Sequence, residues 1–350
     1  MLYAKMVRVG YTHVAEFHYL HYDKDGKPYL NLAEMGERMV AAAKTAGIKI
    51  TLVSVFYQKG GFGVVVQLRQ KRFISKTVEE YFKLLSASSD ILKNYSGASL
   101  GFSVHSLRAV DLNDIKTTFG QGPKNLPFHL HVAEQVKEVS DCLAFCNKRP
   151  MQWLLENLPL DERFHLVHST HLDDDELNKL AATKANVVLC PSTEGNLGDG
   201  IFRMKEFVAL GGHWSIGTDS HIGLNPLEEF RMIDYRQRLV THHRNTIGGD
   251  AASYLVNESI ASGRKAMGIS AADHFEIGKP FDAVVFNAKS HLVAETSAQN
   301  RMATLLYTSD SSRLLGTIID GQWITKQQHH QSGQRIKENF SKAIRELNNR

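Results

Sequence analysis

Residues 126–133 read Leu-Pro-Phe-His-Leu-His-Val-Ala, and similar segments return at 164–169, Phe-His-Leu-Val-His-Ser, and at 186–190, Asn-Val-Val-Leu-Cys. Each segment is short and apolar, which is typical of a buried strand. Between one segment and the next lies a stretch whose pattern of apolar residues is typical of a helix. Further segments of this kind begin near residues 12, 48, 98 and 213. Seven strands that alternate with helices predict a parallel sheet covered by helices.

A closed (β/α)₈ TIM-like barrel needs eight strands. Residues 1–10, Met-Leu-Tyr-Ala-Lys-Met-Val-Arg-Val-Gly, look like the end of a helix that leads into the first of the seven. We therefore predict an α/β chain in which residues 1–270 form an incomplete (β/α)₈ barrel that lacks its first strand. Short strands around Gly and Asp turns predict a small β layer over residues 271–326, and residues 327–350 predict a helical tail.

Composition narrows the class of protein. The net charge of the 350 residues is +4, and Lys and Arg are scattered, so no nucleic-acid partner is expected. No apolar run is long enough to span a membrane, the N-terminus lacks a signal-peptide pattern, and three cysteines indicate a reducing compartment. We expect a cytoplasmic protein that acts on a small-molecule substrate. A homodimer is the expectation from how often soluble proteins form one.

Polar residues that suit metal chemistry stand at the ends of successive predicted strands. His131 is followed by Glu134, His168 ends the next strand, and Asp219 follows the last one. Read singly, these residues are also consistent with a core histidine, a helix-capping acid and another cap. Together they predict a first-row metal site with an acid–base partner, because strand ends carry the chemistry of such barrels. Of the pair His129 and His131, we expect only His131 to bind metal.

Several longer segments carry a resemblance to a known family: GYTHVAEFHYLHYD (10–23), GFSVHSLRAV (101–110), FHLHVAEQVKEVSDC (128–142), LVHSTHLDDDE (166–176), LCPSTEGNLGDGIF (189–202) and IGTDSHIGLNPLEEFR (216–231). These segments resemble the formimidoylglutamate deiminases of the amidohydrolase superfamily. The resemblance extends from the first residues to about Trp323. The blocks HSLRAV, HVAEQ and STEGNLGDGIF are specific to that group, whereas the HxxE pattern and the strand-end Asp are shared across the superfamily.

The resemblance implies a role for each strand-end residue. His131 and Asp219 resemble metal ligands, and Asp219 also resembles the group that takes a proton from the bound water. Glu134 resembles the acid that passes protons to the substrate nitrogen. His168 resembles the histidine that polarises the reacting carbon–nitrogen bond. The implied cofactor is one zinc ion per chain in the full-length protein, with iron or manganese as alternatives for such ligands.

The resemblance also implies how the substrate is held. Tyr19, His105 and Arg108 resemble groups that bind the glutamate part, and a forked guanidinium suits a carboxylate. The implied reaction converts N-formimidoyl-L-glutamate and water to N-formyl-L-glutamate and ammonia, a step of histidine degradation.

One feature of the family has no counterpart here. Superfamily members carry a His-x-His pair of metal ligands at the end of their first barrel strand, and nothing before Tyr11 can supply it. We therefore expect that the first strand, its ligands and half of the small β layer lie upstream of Met1. His131 and Asp219 alone fall short of the three protein ligands usual for catalytic zinc. A truncated sequence is one explanation, and a genuine short form is the other.

Two alternative functions remain open at this stage. The first is a deaminase of a nucleobase-like heterocycle, although Arg108 and its neighbours suit a dicarboxylate better. The second alternative is an inactive truncated relative without a complete metal site. Ammonia release from different substrates separates the two deaminases, and the metal content separates both from the inactive protein.

Overall fold

A computed structural model gives the fold and describes residues 1–270 and 275–349. Seven parallel strands form one sheet in the order of the chain: β1 (His13–His18), β2 (Lys49–Phe56), β3 (Ala98–Ser106), β4 (Phe128–Val132), β5 (Phe164–His168), β6 (Asn186–Leu189) and β7 (His213–Ile216). All seven coincide with the predicted strands, and the α/β barrel class is confirmed. The predicted boundary after residue 270 borders residues 271–274, which lie outside the described part of the chain.

Helices connect and cover these strands. They are α1 (Leu2–Arg8), α2 (Glu34–Ala46), α3 (Val78–Leu92), α4 (Leu112–Gln121), α5 (Val136–Cys146), α6 (Pro150–Asn157), α7 (Asp174–Ala182), α8 (Pro191–Leu197), α9 (Met204–Ala209), α10 (Pro226–Thr241) and α11 (Ala251–Ala266). Local signals fix several ends. The Thr77 side chain accepts a hydrogen bond from the Glu80 backbone at the start of α3, and Gly47 ends α2 in the left-handed conformation. None of the described helices is long and apolar enough to cross a membrane.

Alternation along each strand separates two environments. On β4, Phe128, Leu130 and Val132 are fully buried in the large core beneath the helices. On β5, Phe164 joins the same core, and its ring lies 4.5 Å from that of Phe119. Because successive side chains point to opposite faces, the histidines between these residues face the barrel interior.

The amino-terminal end of the barrel interior is polar and closed. His129 Nε2 bonds to the carbonyl of Ala266, and the Thr51 hydroxyl donates to the carbonyl of Met267. Both carbonyls belong to the C-terminal end of α11, where a helix leaves its carbonyls without helical partners. His129 is therefore occupied by a bond to α11, whereas His131 lies further along the same strand, towards its carboxyl end.

A small antiparallel sheet packs beside the barrel. Its strands are β8 (Ala283–Phe286), β9 (Leu314–Ile319), β10 (Gln322–Lys326) and β11 (His329–His330), in the order β11-β10-β9-β8. Asp320 and Gly321 have φ values of 50° and 76° and join β9 to β10, as expected of a tight hairpin turn. Three helices complete the described chain: α12 (His291–Ala294), α13 (Arg301–Thr308) and α14 (Gly333–Asn348). The Lys49 ammonium of β2 bonds to Asp282 at 2.9 Å and ties the two sheets together.

In the described residues, β1 and β7 are the edges of the large sheet. The sheet curls, which brings the segment after β7 towards β1. His221, which follows β7, acts on Glu16 of β1 in this way. Burial raises the pKa of Glu16, and the Tyr3 hydroxyl and the nearby charge of His221 both oppose that rise. The curl therefore directs the carboxyl ends of the strands towards a common centre.

Candidate active site

The candidate site lies where the carboxyl ends of several strands converge. His105 is the next-to-last residue of β3, His131 is the next-to-last of β4, and His168 ends β5. The register pairs Ser106 with His131 and Val132 with His168, so these ends lie at one level. The carboxyl end of the strands is where barrels of this type carry their active sites.

Three side chains at this end can hold one metal ion. His131, His168 and Asp219 each offer a ligand atom, and these atoms all lie within 4.8 Å of one another. Nε2 of His168 is 3.9 Å from Oδ2 of Asp219. The same Nε2 is buried and has no hydrogen-bond partner. A buried polar atom without a partner is costly in a protein interior, and two imidazoles with a carboxylate are a donor set that suits zinc. The residues therefore fit a metal ion.

The backbone at this site is unusual. His168 has a φ of 70°, Ser169 of 52° and Asp219 of 41°, and Ala133 beside Glu134 has a φ of 50°. Residues other than glycine seldom adopt such values, and they concentrate at functional sites. Each of these turns ends or follows a strand, so the strained backbone aims the side chains of the site.

The chemical state of His131 follows from its contacts. Nδ1 of His131 lies 3.3 Å from the carbonyl oxygen of His105, which can only accept, so Nδ1 carries the proton. Burial, reinforced by nearby His105, His168 and Arg108, holds the pKa of His131 well below its ordinary value. The ring is therefore neutral, with a free lone pair on Nε2. That is the form in which histidine binds metal.

Glu134 lies between the metal group and a basic side chain. Its Oε1 is 3.7 Å from Nε2 of His168, and its Oε2 is 3.5 Å from Nη2 of Arg108. The backbone N–H of Glu134 donates to Oε2 of Glu138 at 2.9 Å, which anchors the turn after β4. A carboxylate held at this distance from the metal group can move protons between water and substrate.

A second group of side chains, Tyr19, His105 and Arg108, lies beside Glu134 and His131. The ring of His105 lies 5.4 Å from that of Tyr19 and stacks at 5.0 Å on that of His131. Burial and the charge of Arg108 lower the pKa of His105 to about 3, so this ring is neutral. Burial and the charge of Asp219 raise the pKa of Tyr19, which keeps its phenol protonated. This group therefore offers a guanidinium and neutral hydrogen-bonding groups.

The structure brings together the seven residues that the sequence predicted for the site: Tyr19, His105, Arg108, His131, Glu134, His168 and Asp219. Three further residues of the site were not predicted. The ring of Phe17 lies 4.5 Å from His131, and that of Tyr57 lies 4.7 Å from His105. Glu194 lies behind His168, with Oε1 3.3 Å from Nδ1. The STEGNLGDGIF block contains Glu194, and a glutamate three residues after Pro191 also fits a helix start, which hides its contact with His168.

The chain matches the model of the Amidohydrolase family over residues 3–324. The chain belongs to the amidohydrolase family. The match ends within one residue of Trp323, where the resemblance in the sequence ends.

Relatives and solved structures place this amidohydrolase more closely. It is 38% identical to a formimidoylglutamate deiminase from Pseudomonas aeruginosa, over 99% of this chain and 77% of the relative, which confirms the resemblance found in the sequence. A crystal structure of an amidohydrolase from Brucella melitensis superposes with a TM-score of 0.92 at 37% identity, over 99% of this chain and 77% of that one.

More distant relatives share the fold. A 5-methylthioadenosine/S-adenosylhomocysteine deaminase from Haloquadratum walsbyi is 25% identical over 91% of this amidohydrolase and 66% of the relative. A zinc-bound adenosine deaminase from Xanthomonas campestris has a TM-score of 0.74 at 20% identity, over 93% of this chain and 69% of that one. This amidohydrolase therefore spans between about two thirds and about three quarters of these proteins.

Proposed function

We propose that this amidohydrolase hydrolyses N-formimidoyl-L-glutamate to N-formyl-L-glutamate and ammonia. The observation that carries the proposal is the identity of 38% to a formimidoylglutamate deiminase over 99% of the chain. The geometry supports it, because residues that can hold a metal, the carboxylate of Glu134 and the guanidinium of Arg108 lie beside one another. An enzyme that removes ammonia from a substrate with two carboxylates needs these three parts.

The metal we propose is zinc, one ion per chain in the full-length protein, with His131 and Asp219 among its ligands and Nε2 of His168 beside them. When bound, zinc activates a water molecule as a nucleophile at neutral pH. Iron and manganese are compatible with similar donors, and the identity of the metal is a separate measurement.

The side chains of the site then account for each movement of a proton. Asp219 accepts a proton from the attacking water, whose oxygen forms a bond to the formimidoyl carbon. Nε2 of His168 faces the carbon–nitrogen bond that will break and polarises it when this nitrogen, like Nδ1, carries a proton. The formimidoyl nitrogen needs two protons to leave as ammonia, and the attacking water supplies both. Asp219 takes them in turn, the first as the oxygen bonds to the carbon and the second as that oxygen becomes a carbonyl, and Glu134 passes them to the nitrogen while the carbon–nitrogen bond breaks. The 3.7 Å between Glu134 and His168 allows both to act on one substrate nitrogen.

The side chains beside Glu134 account for recognition of the glutamate part. Arg108 pairs with a substrate carboxylate, and a charge-assisted bond of this kind is stronger than a neutral one. Tyr19 and His105 contribute neutral hydrogen-bonding groups at the same wall. A flat heterocycle would offer no carboxylate to Arg108, which favours the dicarboxylate over a nucleobase-like substrate. For assembly and location, a homodimer in the cytoplasm stays the prediction from the sequence.

A panel of substrates tests this proposal. The purified chain is supplied with zinc, and ammonia release is compared for N-formimidoyl-L-glutamate, 5′-methylthioadenosine and guanine. We expect release from the first substrate, and loss of that release in Glu134→Gln. Release from a heterocycle alone would overturn the substrate, and release that persists in Glu134→Gln would overturn the proposed role of the carboxylate.

A further inference from the structure

The side of His168 that faces away from the metal group is in contact with a buried carboxylate. Glu194 is 2% exposed, and its Oε1 lies 3.3 Å from Nδ1 of His168. The same Oε1 accepts a hydrogen bond from the Cys190 backbone N–H at 2.8 Å. Glu194 belongs to the first turn of α8, directly after β6. Its position is therefore fixed by the strand end as well as by its helix.

The second oxygen of Glu194 is held from α10. Nη1 of Arg236 donates to Oε2 at 3.0 Å, and Nη2 of Arg236 donates to the carbonyl of Pro191. Gly195 makes room for this guanidinium, because a Cβ at that position would lie 2.8 Å from Nη2. A carboxylate paired with arginine accepts hydrogen bonds and cannot donate them. The proton between Glu194 and His168 must therefore belong to His168.

We propose that Glu194, held by Arg236, is a positioning residue that keeps a proton on Nδ1 of His168 and so presents Nε2 to the metal and substrate side. Histidine rings that work beside metals commonly donate their other nitrogen to a carboxylate, which fixes both tautomer and orientation. His168 has a left-handed backbone and is completely buried, so its ring cannot be oriented by water and depends on neighbouring side chains. The part that concerns catalysis rests on the proposed function.

The chain offers a matched control for this pair. Glu176 is also 2% exposed, and its Oε2 accepts from Nε of Arg149 at 2.9 Å. Its Oε1 accepts from the Gln152 backbone N–H at 3.1 Å. Glu176→Gln therefore disturbs a buried carboxylate–arginine pair of the same kind without touching His168. The variant reports the purely structural cost of such a change.

The test combines a spectrum with kinetics. The full chain is labelled with ¹⁵N-histidine, the His168 ring signals are assigned by comparison with His168→Gln, and long-range ¹H–¹⁵N spectra are recorded at pH 8. We expect the Nδ1 shift of a protonated nitrogen in the unaltered chain. In Glu194→Gln the amide can donate as well as accept, so part of the signal should move to the Nε2–H form. Glu176→Gln should leave the His168 signals unchanged.

Kinetics with N-formimidoyl-L-glutamate give the second readout. We expect Glu194→Gln to lower kcat roughly 10- to 100-fold with little change in KM, as for other partners of histidines at metal sites. An unprotonated Nδ1 in the unaltered chain, or a Glu194→Gln spectrum identical to it, would overturn the positioning role. The spectrum needs no substrate. A tautomer change without any turnover by the unaltered chain would therefore refute the proposed function and leave the positioning of His168 intact.

Discussion

Zinc should stabilise the chain through His131 and leave an otherwise similar histidine without effect. A ligand that binds only the folded state adds about 2.7 kcal/mol at a free concentration of 100 times its Kd. Unfolding entropy near 60 °C is roughly 2.1 cal/mol/K per residue, so the 350 residues together give about 0.7 kcal/mol/K. Dividing one by the other predicts a rise of about 4 °C in the unfolding midpoint.

The assay is a thermal melt of the metal-stripped chain with increasing free zinc. His131→Ala removes a proposed ligand and should abolish the rise. His129→Ala is the matched control, because His129 lies on the same strand and face but bonds to the Ala266 carbonyl. It should lower the starting midpoint and keep the rise. An equal zinc effect in all three chains, or its loss only in His129→Ala, would refute the ligand assignment.

Three further predictions concern recognition, packing and pH. Arg108→Met should lower kcat/KM for N-formimidoyl-L-glutamate by roughly 10- to 100-fold, because a bond to a charged group contributes about 1.5–3 kcal/mol, and an unchanged value would exclude the carboxylate contact. Phe164→Ala should reduce the free energy of unfolding in urea by about 3–5 kcal/mol, whereas the half-exposed Phe340 should tolerate the same change within about 0.5 kcal/mol. Burial lowers the pKa of several histidines, among them His21 and His129, to about 4, and His13 and His105, to about 3. In the unfolded chain these histidines have a pKa near 6.5, so below that pH the unfolded state binds protons that the folded state does not. Each histidine should therefore lower the free energy of unfolding by up to about 1.4 kcal/mol per pH unit as the pH falls from 6.5 towards its folded pKa, and its full contribution is present above pH 6.5. A free energy of unfolding in urea that stays constant from pH 7 to pH 5 would contradict this. His129→Gln should make the dependence on pH less steep by the contribution of one histidine.

The seven strands of the large sheet could be predicted from the sequence, because burial gives each of them a short run of apolar residues. Parallel strands are buried on both faces and appear as short apolar runs, and the seven predicted segments are the seven strands of the structure. Boundaries shifted by a few residues. The first residue of α2, for example, depends on a local contact: the helix begins at Glu34 because Asn31 Oδ1 accepts a hydrogen bond from the Ala33 backbone N–H and forms a turn just before it.

Part of the site was visible in the sequence, and part was not. His131, Glu134, His168 and Asp219 stand at strand ends, and a parallel sheet necessarily brings such ends together. Glu194 could not be assigned in this way. Its contact with His168 depends on the angle at which α8 leaves β6 and on a guanidinium from α10, and neither is encoded in a local pattern. Tyr57 is likewise brought to His105 by packing across strands.

The most direct test of the central claim follows the labelled carbon of N-[¹³C]formimidoyl-L-glutamate by NMR, in the presence of the zinc-loaded chain. We predict that the signal of the substrate is replaced by that of N-formyl-L-glutamate, with one ammonia released for each molecule converted. We also predict that His168→Ala blocks this conversion. Formation of formamide and glutamate would show that the other carbon–nitrogen bond is cleaved and would contradict the proposed reaction. A substrate signal that does not change with zinc bound to the chain would contradict the proposed activity itself.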